Sequence, residues 1–170
     1  MSPIDPLLAV QDVDNEIWQL ADELEALPKR RKDEEDRLAD AVRRQQELEA
    51  AAGSEDAPDA SKHEAVAAEI ADANAFLAEI AEREGEVKAR KDELEARRAD
   101  LAKAVKPELL ARYNRLGVSR RPVIVKLVDG VCGGCHLRQP PSAAHTIHAN
   151  VNKPETFKLV TCEMCGRILY

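Results

Sequence analysis

Aromatic residues make up only 3% of this 170-residue chain, and it has just seven glycines. Ala, Glu, Leu, Lys, Arg and Asp dominate the first two-thirds instead, a composition that suits long helices rather than a large globular core. No stretch approaches 18 uninterrupted apolar residues, so no membrane-spanning helix is expected. The opening Met-Ser-Pro-Ile-Asp-Pro has no basic segment followed by an apolar run, so no secretory signal is expected and the chain reads as cytoplasmic. No Ser/His/Asp set, Gly-rich phosphate loop or pair of inward-facing carboxylates appears, and the chain is not expected to be an enzyme. The length allows one or two domains.

Cysteine is confined to two pairs near the C-terminus. Cys132 and Cys135 lie in Val-Cys-Gly-Gly-Cys, and Cys162 and Cys165 in Thr-Cys-Glu-Met-Cys-Gly-Arg. Two residues between cysteines let a tight turn aim both thiolates at one point. Two such turns supply four sulfurs at tetrahedral corners, the donor set of a closed structural Zn²⁺ site. The 26 residues between the pairs exceed the usual gap and should hold a small element of their own. Iron in a rubredoxin-like site, disulfides and dithiol redox chemistry are the alternatives. A thioredoxin-type site needs one pair opening a helix, and disulfides need an oxidising compartment. Gly133, Gly134 and Gly166 let the knuckles turn, with backbone N–H groups available to the sulfurs. His136 follows the second cysteine and reads as a surface residue, a group behind the ligands or a substitute ligand. His145 and His148 share a helix face at i, i+3, a spacing that permits a second metal site, but no third ligand accompanies them.

The first helical pattern places Val10, Val13, Ile17, Leu20, Leu24 and Leu27 at spacings of 3, 4, 3, 4 and 3, a heptad seam. It continues through Arg31, Glu34, Leu38, Ala41, Gln45 and Leu48, polar in the middle. Pro28 predicts a kink or a restart. Residues 53–60 break the pattern with Gly, Pro and small acidic residues, which reads as a turn. Ser61, with Glu64 three residues on, is placed to cap the next helix. A second seam then runs Val66, Ile70, Ala73, Leu77, Ile80, Glu84, Val87, Lys91, Leu94, Arg98, Leu101 and Val105. Two heptad helices joined by a short turn should fold back as an antiparallel hairpin, although the seams could instead pair between chains. With the turn centred near residue 57, Leu38 faces Leu77 and Leu20 faces Leu94, while Arg31 falls near Glu84. Pro107 ends or kinks the second helix, and Leu109, Leu110, Tyr113 and Leu116 form a short apolar face. Strands are expected over 122–128, 157–161 and 167–170, an Asp129-Gly130 turn between the first strand and the first cysteine pair, and a short helix from Pro141 to about His148. The expected fold is mostly α: residues 1–116 form a long antiparallel coiled-coil hairpin, and residues 117–170 a small β-rich four-cysteine zinc ribbon.

These residues resemble a bacterial family of zinc-ribbon proteins with an N-terminal coiled-coil hairpin, described as nucleic-acid-binding. The resemblance covers nearly the whole length. It is carried by Leu7-Leu8-Ala-Val-Gln-Asp-Val-Asp14, Leu27-Pro28, Leu109-Leu110-Ala-Arg-Tyr113, Val131-Cys-Gly-Gly-Cys135, Pro140-Pro141 and Cys162-Glu-Met-Cys-Gly-Arg-Ile-Leu-Tyr170, the last being the most specific. The coil arms are shorter than is usual in the family. The resemblance implies a non-enzymatic adaptor or regulator, with members linked to flagellar gene control, the sigma-54 factor, RNA and type III secretion components.

Charge divides the chain. Residues 1–105 carry 15 Lys+Arg against 28 Asp+Glu, a net −13, and residues 106–170 carry 10 against 4, a net +6. An acidic arm joined to a basic cysteine module suggests two surfaces with different partners, although charged helices are also simply solvated. Arg120, Arg121, Lys126 and Arg167 are the residues expected to form one contact surface beside the knuckles, for an acidic protein or a nucleic acid. Tyr113, Phe157 and Tyr170 are the module's only aromatics and are expected in its core, which leaves no obvious platform for stacking bases. The reading is therefore a zinc-binding adaptor for a protein partner, with RNA or DNA binding as the alternative.

Overall fold

The structure, a computed structural model, describes residues 3–51 and 60–170. The turn expected over 53–60 lies outside the described residues except for Ala60. Helix α1 runs Asp5–Ala51 and helix α2 runs Ala60–Ala102. Ser61 therefore lies inside α2 rather than ahead of it. Two compact units divide the chain: residues up to Trp18 together with Glu93–Tyr170, and Gln19–Asp92. No described helix is long and apolar enough to cross a membrane.

In the unit Gln19–Asp92, the two helices form an antiparallel hairpin on the heptad seams. Leu27, Ala41, Val66, Ala73, Ile80 and Val87 are buried. The remaining seam residues of this unit, polar ones included, are half-buried, and none is exposed. The polar seam positions Arg31 and Glu84 form an ion pair, as the antiparallel register requires, and Arg44 pairs with Glu69 nearer the helix ends. Arg83 grips Glu23 with two bonds of 2.6 and 3.0 Å, and the Arg30 guanidinium stands 5.7 Å from the centre of the Phe76 ring. Such exposed pairs add little stability, so the apolar seam carries the pairing and the charges select its register. Helix α1 continues through Pro28 without a restart. Proline there removes one backbone donor, but Leu27 on one side and the Arg31–Glu84 pair on the other hold the helix in place.

The other unit gathers both helix ends around the cysteine module. Helix α2 finishes in a tightened turn, in which the amides of Lys103, Ala104 and Val105 donate to carbonyls three residues back at 3.1–3.2 Å. Pro107 then opens helix α3, Pro107–Gly117, where its missing N–H costs nothing. The following elements are short: β1 Ile124–Val125, β2 Leu127–Val128, β3 Val131–Cys132, α4 Pro141–Asn152, β4 Val160–Thr161 and β5 Ile168–Leu169. β5 lies between β1, with which it is parallel, and β4, with which it is antiparallel. β2 and β3 form a hairpin across Asp129 and Gly130, whose φ of +51° and +75° give the left-handed turn that Asp-Gly favours. The core joins Ile4, Leu7 and Val10 of α1 to Val105, Tyr113, Val123, Ile124 and Ile168.

Two side-chain amides stand in for missing strands. Gln11 of α1 donates to the Ile124 carbonyl (2.9 Å) and accepts from the Ile124 N–H (2.5 Å), completing the edge of β1 that β5 leaves unpaired. Asn150 of α4 does the same for Lys158, at 2.7 and 2.8 Å. The strands are shorter than the sequence pattern predicts. The stretch 122–128 is split at Lys126, whose carbonyl turns to accept the Gly133 N–H at 2.9 Å, and 157–161 pairs only at Val160–Thr161. Beneath Gln11, buried Asp14 accepts from Arg98 Nε (2.5 Å) and from the Tyr113 hydroxyl (2.8 Å), while Arg98 also donates to Asn114 (2.7 Å). Burial and the adjacent Asp14 push the Tyr113 hydroxyl well above its ordinary range, so it stays a donor at all physiological pH values.

Removing Asp14 leaves the buried Tyr113 hydroxyl without its acceptor. Asp14→Ala is expected to cost about 2–3 kcal/mol and Tyr113→Phe about 1 kcal/mol. Urea unfolding followed by the fluorescence of Trp18, the chain's one tryptophan, checks both; equal and negligible losses would contradict the buried network.

Candidate metal centre

The two knuckles have the same backbone pattern. In the first, the Cys132 N–H donates to Leu137 C=O (3.0 Å) and the His136 N–H returns to Cys132 C=O (2.9 Å). In the second, the Cys162 N–H donates to Arg167 C=O (2.8 Å) and the Gly166 N–H returns to Cys162 C=O (2.9 Å). Amides inside each turn reach the sulfurs: Gly134 N–H to Cys132 Sγ at 3.4 Å and Cys165 N–H to Cys162 Sγ at 3.5 Å. His136 and Gly166 occupy equivalent positions, with φ of +59° and +74°. The exposed His136 is thus the residue that turns the first knuckle in the left-handed region, not a ligand.

All four Sγ atoms lie within 4.8 Å of one another. Cys132 and Cys165 are 3.8 Å apart, and Cys135 and Cys162 are 3.6 Å apart. A regular tetrahedron with Zn–S bonds of ~2.3 Å has edges of about 3.75 Å, so the sulfurs stand at zinc-holding separation. They are too far apart for an S–S bond of about 2.05 Å, and all four are free cysteines. Cys132 and Cys162 are buried; Cys135 and Cys165 are half-buried.

The thiols' acidities fit the same conclusion. The Leu137 amide pulls Cys135 down, but desolvation and the three neighbouring thiols outweigh it and push it up to about 12. Desolvation pushes Cys165 up, but hydrogen bonds from the Arg167 amide and side chain and from Cys162 and Cys135 outweigh it and hold it near 6. Without a cation, a thiolate at Cys165 thus disfavours a second one at Cys135. A divalent cation at the centre of the cluster removes that repulsion, and the four residues fit one structural zinc ion held by Cys132, Cys135, Cys162 and Cys165.

Gln139 ties the knuckles together and carries no signal in the sequence. Buried at 6% exposure, it accepts from the Glu163 N–H (3.1 Å) and donates to Leu137 C=O (3.2 Å). Of the four expected contact residues, Arg120 Nε donates to Cys165 C=O (3.1 Å) and Arg167 Nε to Pro122 C=O (2.8 Å). The Arg121 guanidinium stands 5.0 Å from the Trp18 ring centre, and Lys126 is exposed. His145 and His148 are exposed on α4 and gather no further ligand; the cysteines are the one cluster of three or more metal-ligating side chains among the described residues.

Residues 131–169 match the C4-type zinc ribbon domain family, and within that span the four sulfurs lie where such a ribbon holds its metal. Among solved structures, the chain is similar to CT398 from Chlamydia trachomatis, with a TM-score of 0.48 and 22% identity over 97% of this chain and 84% of that one. It is also similar to the HP0958 protein from Helicobacter pylori (0.36, 20%, covering 99% and 84%) and to a protein from Mycobacterium smegmatis (0.44, 20%, covering 99% of each). No curated protein matches the chain.

Elemental analysis of the purified protein should find about one zinc per chain. Cys162→Ser should lose it and loosen the ribbon, while helicity from Gln19–Asp92 persists. Full zinc retention in that variant would contradict the four-sulfur set. Zinc uptake must also displace the Cys135 proton, so apparent affinity should fall as pH falls and loading should release protons, readable in a weakly buffered dye solution. His136→Gly should strengthen the first knuckle by about 1 kcal/mol, because glycine adopts its left-handed backbone without strain.

Proposed function

We propose that this chain is a non-enzymatic zinc-binding adaptor that engages a protein partner through the basic surface of its ribbon and through its helical hairpin. The observation that carries the reading is the four-sulfur donor set. It supplies every corner of a tetrahedron, so a bound zinc keeps no open position at which a substrate or activated water would sit. Such a centre holds a fold together. A thiolate set of this kind also persists in a reducing compartment, which supports a cytoplasmic location.

The charge reversal from −13 to +6 supports the choice of surface. Arg120 and Arg167 have backbone partners beside the knuckles and Arg121 lies over the Trp18 ring, so the contact is assigned chiefly to Lys126, with Arg121, Arg138, Lys153 and Lys158 also exposed on the module. An acidic protein surface matches that charge. Nucleic-acid binding is the second reading, favoured by the same net charge.

The test pairs two measurements on the full chain. In a pull-down followed by mass spectrometry, a partner protein should be retained by the native chain and weakened by R121E/K126E, with zinc content unchanged. In an electrophoretic shift at physiological salt, mixed-sequence RNA and duplex DNA should bind only weakly. Tight, salt-sensitive shifts lost in R121E/K126E would replace the protein partner with nucleic acid.

A further inference from the structure

Access to the metal centre runs past Cys135 and Cys165, the half-buried pair of its four sulfurs. Arg167, two residues beyond Cys165, reaches over Gly134, the residue before Cys135. Its Nε donates to Pro122 C=O at 2.8 Å, anchoring the side chain to the segment before β1. Its stem crosses the tip of the first knuckle so closely that a Cβ at Gly134 would lie 2.5 Å from Cδ, 2.9 Å from Nε and 3.1 Å from Nη1. One residue of the second knuckle thus covers the first and is tied to backbone through its Nε. Arg120, donating to Cys165 C=O at 3.1 Å, holds that knuckle from the other side.

We propose that Arg167 is the cover of the zinc centre, closing its half-open side against incoming ligands and setting how slowly the metal leaves. The inference rests on the four-sulfur zinc reading. Zinc with four thiolates carries a net charge of −2, and a permanently charged guanidinium beside the first knuckle offsets part of it. A competing chelator removes zinc only by displacing thiolates, and an anchored side chain over the knuckle tip obstructs its approach. Gly134 is part of the same device, because only glycine leaves room for the covering side chain.

The test is zinc transfer from the loaded full chain to an excess of a chromophoric pyridylazo chelator. Arg167→Gln should still bind about one zinc per chain and release it roughly 10–100-fold faster, the usual cost of losing a group behind a metal ligand. Arg167→Lys, which keeps the charge, should fall between. Gly134→Ala should reproduce the fast release without altering Arg167, by pushing its side chain aside. The double variant should be no faster than either single one, because both remove the same cover. Zinc-loaded variants that release at the native rate, or single effects that multiply in the double variant, would overturn the role of Arg167. So would release rates that merely track each variant's unfolding midpoint. A native chain without zinc would instead overturn the zinc reading itself.

Discussion

Bringing four thiols within 4.8 Å of one another is the constraint from which the cysteine module follows. Each strand around them is two residues long, and such strands cannot hold a sheet by their own pairing. Four thiolates this close repel one another unless a cation sits among them. The knuckles therefore need the metal, and the metal needs two turns of identical backbone pattern. That need places Gly166 and His136 in the left-handed region and keeps Gly134 bare beneath the Arg167 side chain.

The metal alone does not join the ribbon to the helix ends. Gln11 reads the backbone of β1 as a neighbouring strand would, and Asp14, one helical turn further on, collects Arg98 and Tyr113. Around them Leu7, Val10, Tyr113, Val123 and Ile168 close an apolar core. Polar groups buried in this way cost free energy unless every one is bonded, and here each finds a partner. The first turns of α1 are thus as much a part of the cysteine-bearing unit as the knuckles are.

Much of this was legible in the sequence because it rests on spacing. The heptads placed the seam residues and the Arg31–Glu84 pair, and the paired Cys-x-x-Cys motifs placed the metal ligands. Asp129-Gly130 marked its hairpin, and Pro107 the break between α2 and α3. What spacing could not show is side-chain substitution for backbone. Gln11 and Asn150 look like ordinary polar helix residues, yet each bonds both backbone groups of one residue, Ile124 and Lys158. Pro28 reads as a break, but packing on both sides overrides its local preference. Arg120 and Arg167 read as free charge, whereas their guanidinium groups are bonded to carbonyls beside the metal centre. His136 reads as a surface residue with a ligand role as one alternative; laid over the second knuckle, it stands where glycine does.

The central claim is a closed, four-sulfur zinc centre. X-ray absorption at the zinc edge of the purified protein tests it most directly. The account predicts four sulfur neighbours at ~2.3 Å and no lighter atom in the first coordination shell. A nitrogen or oxygen neighbour in place of one sulfur would contradict it, since the centre would then be open to chemistry that the proposed function excludes.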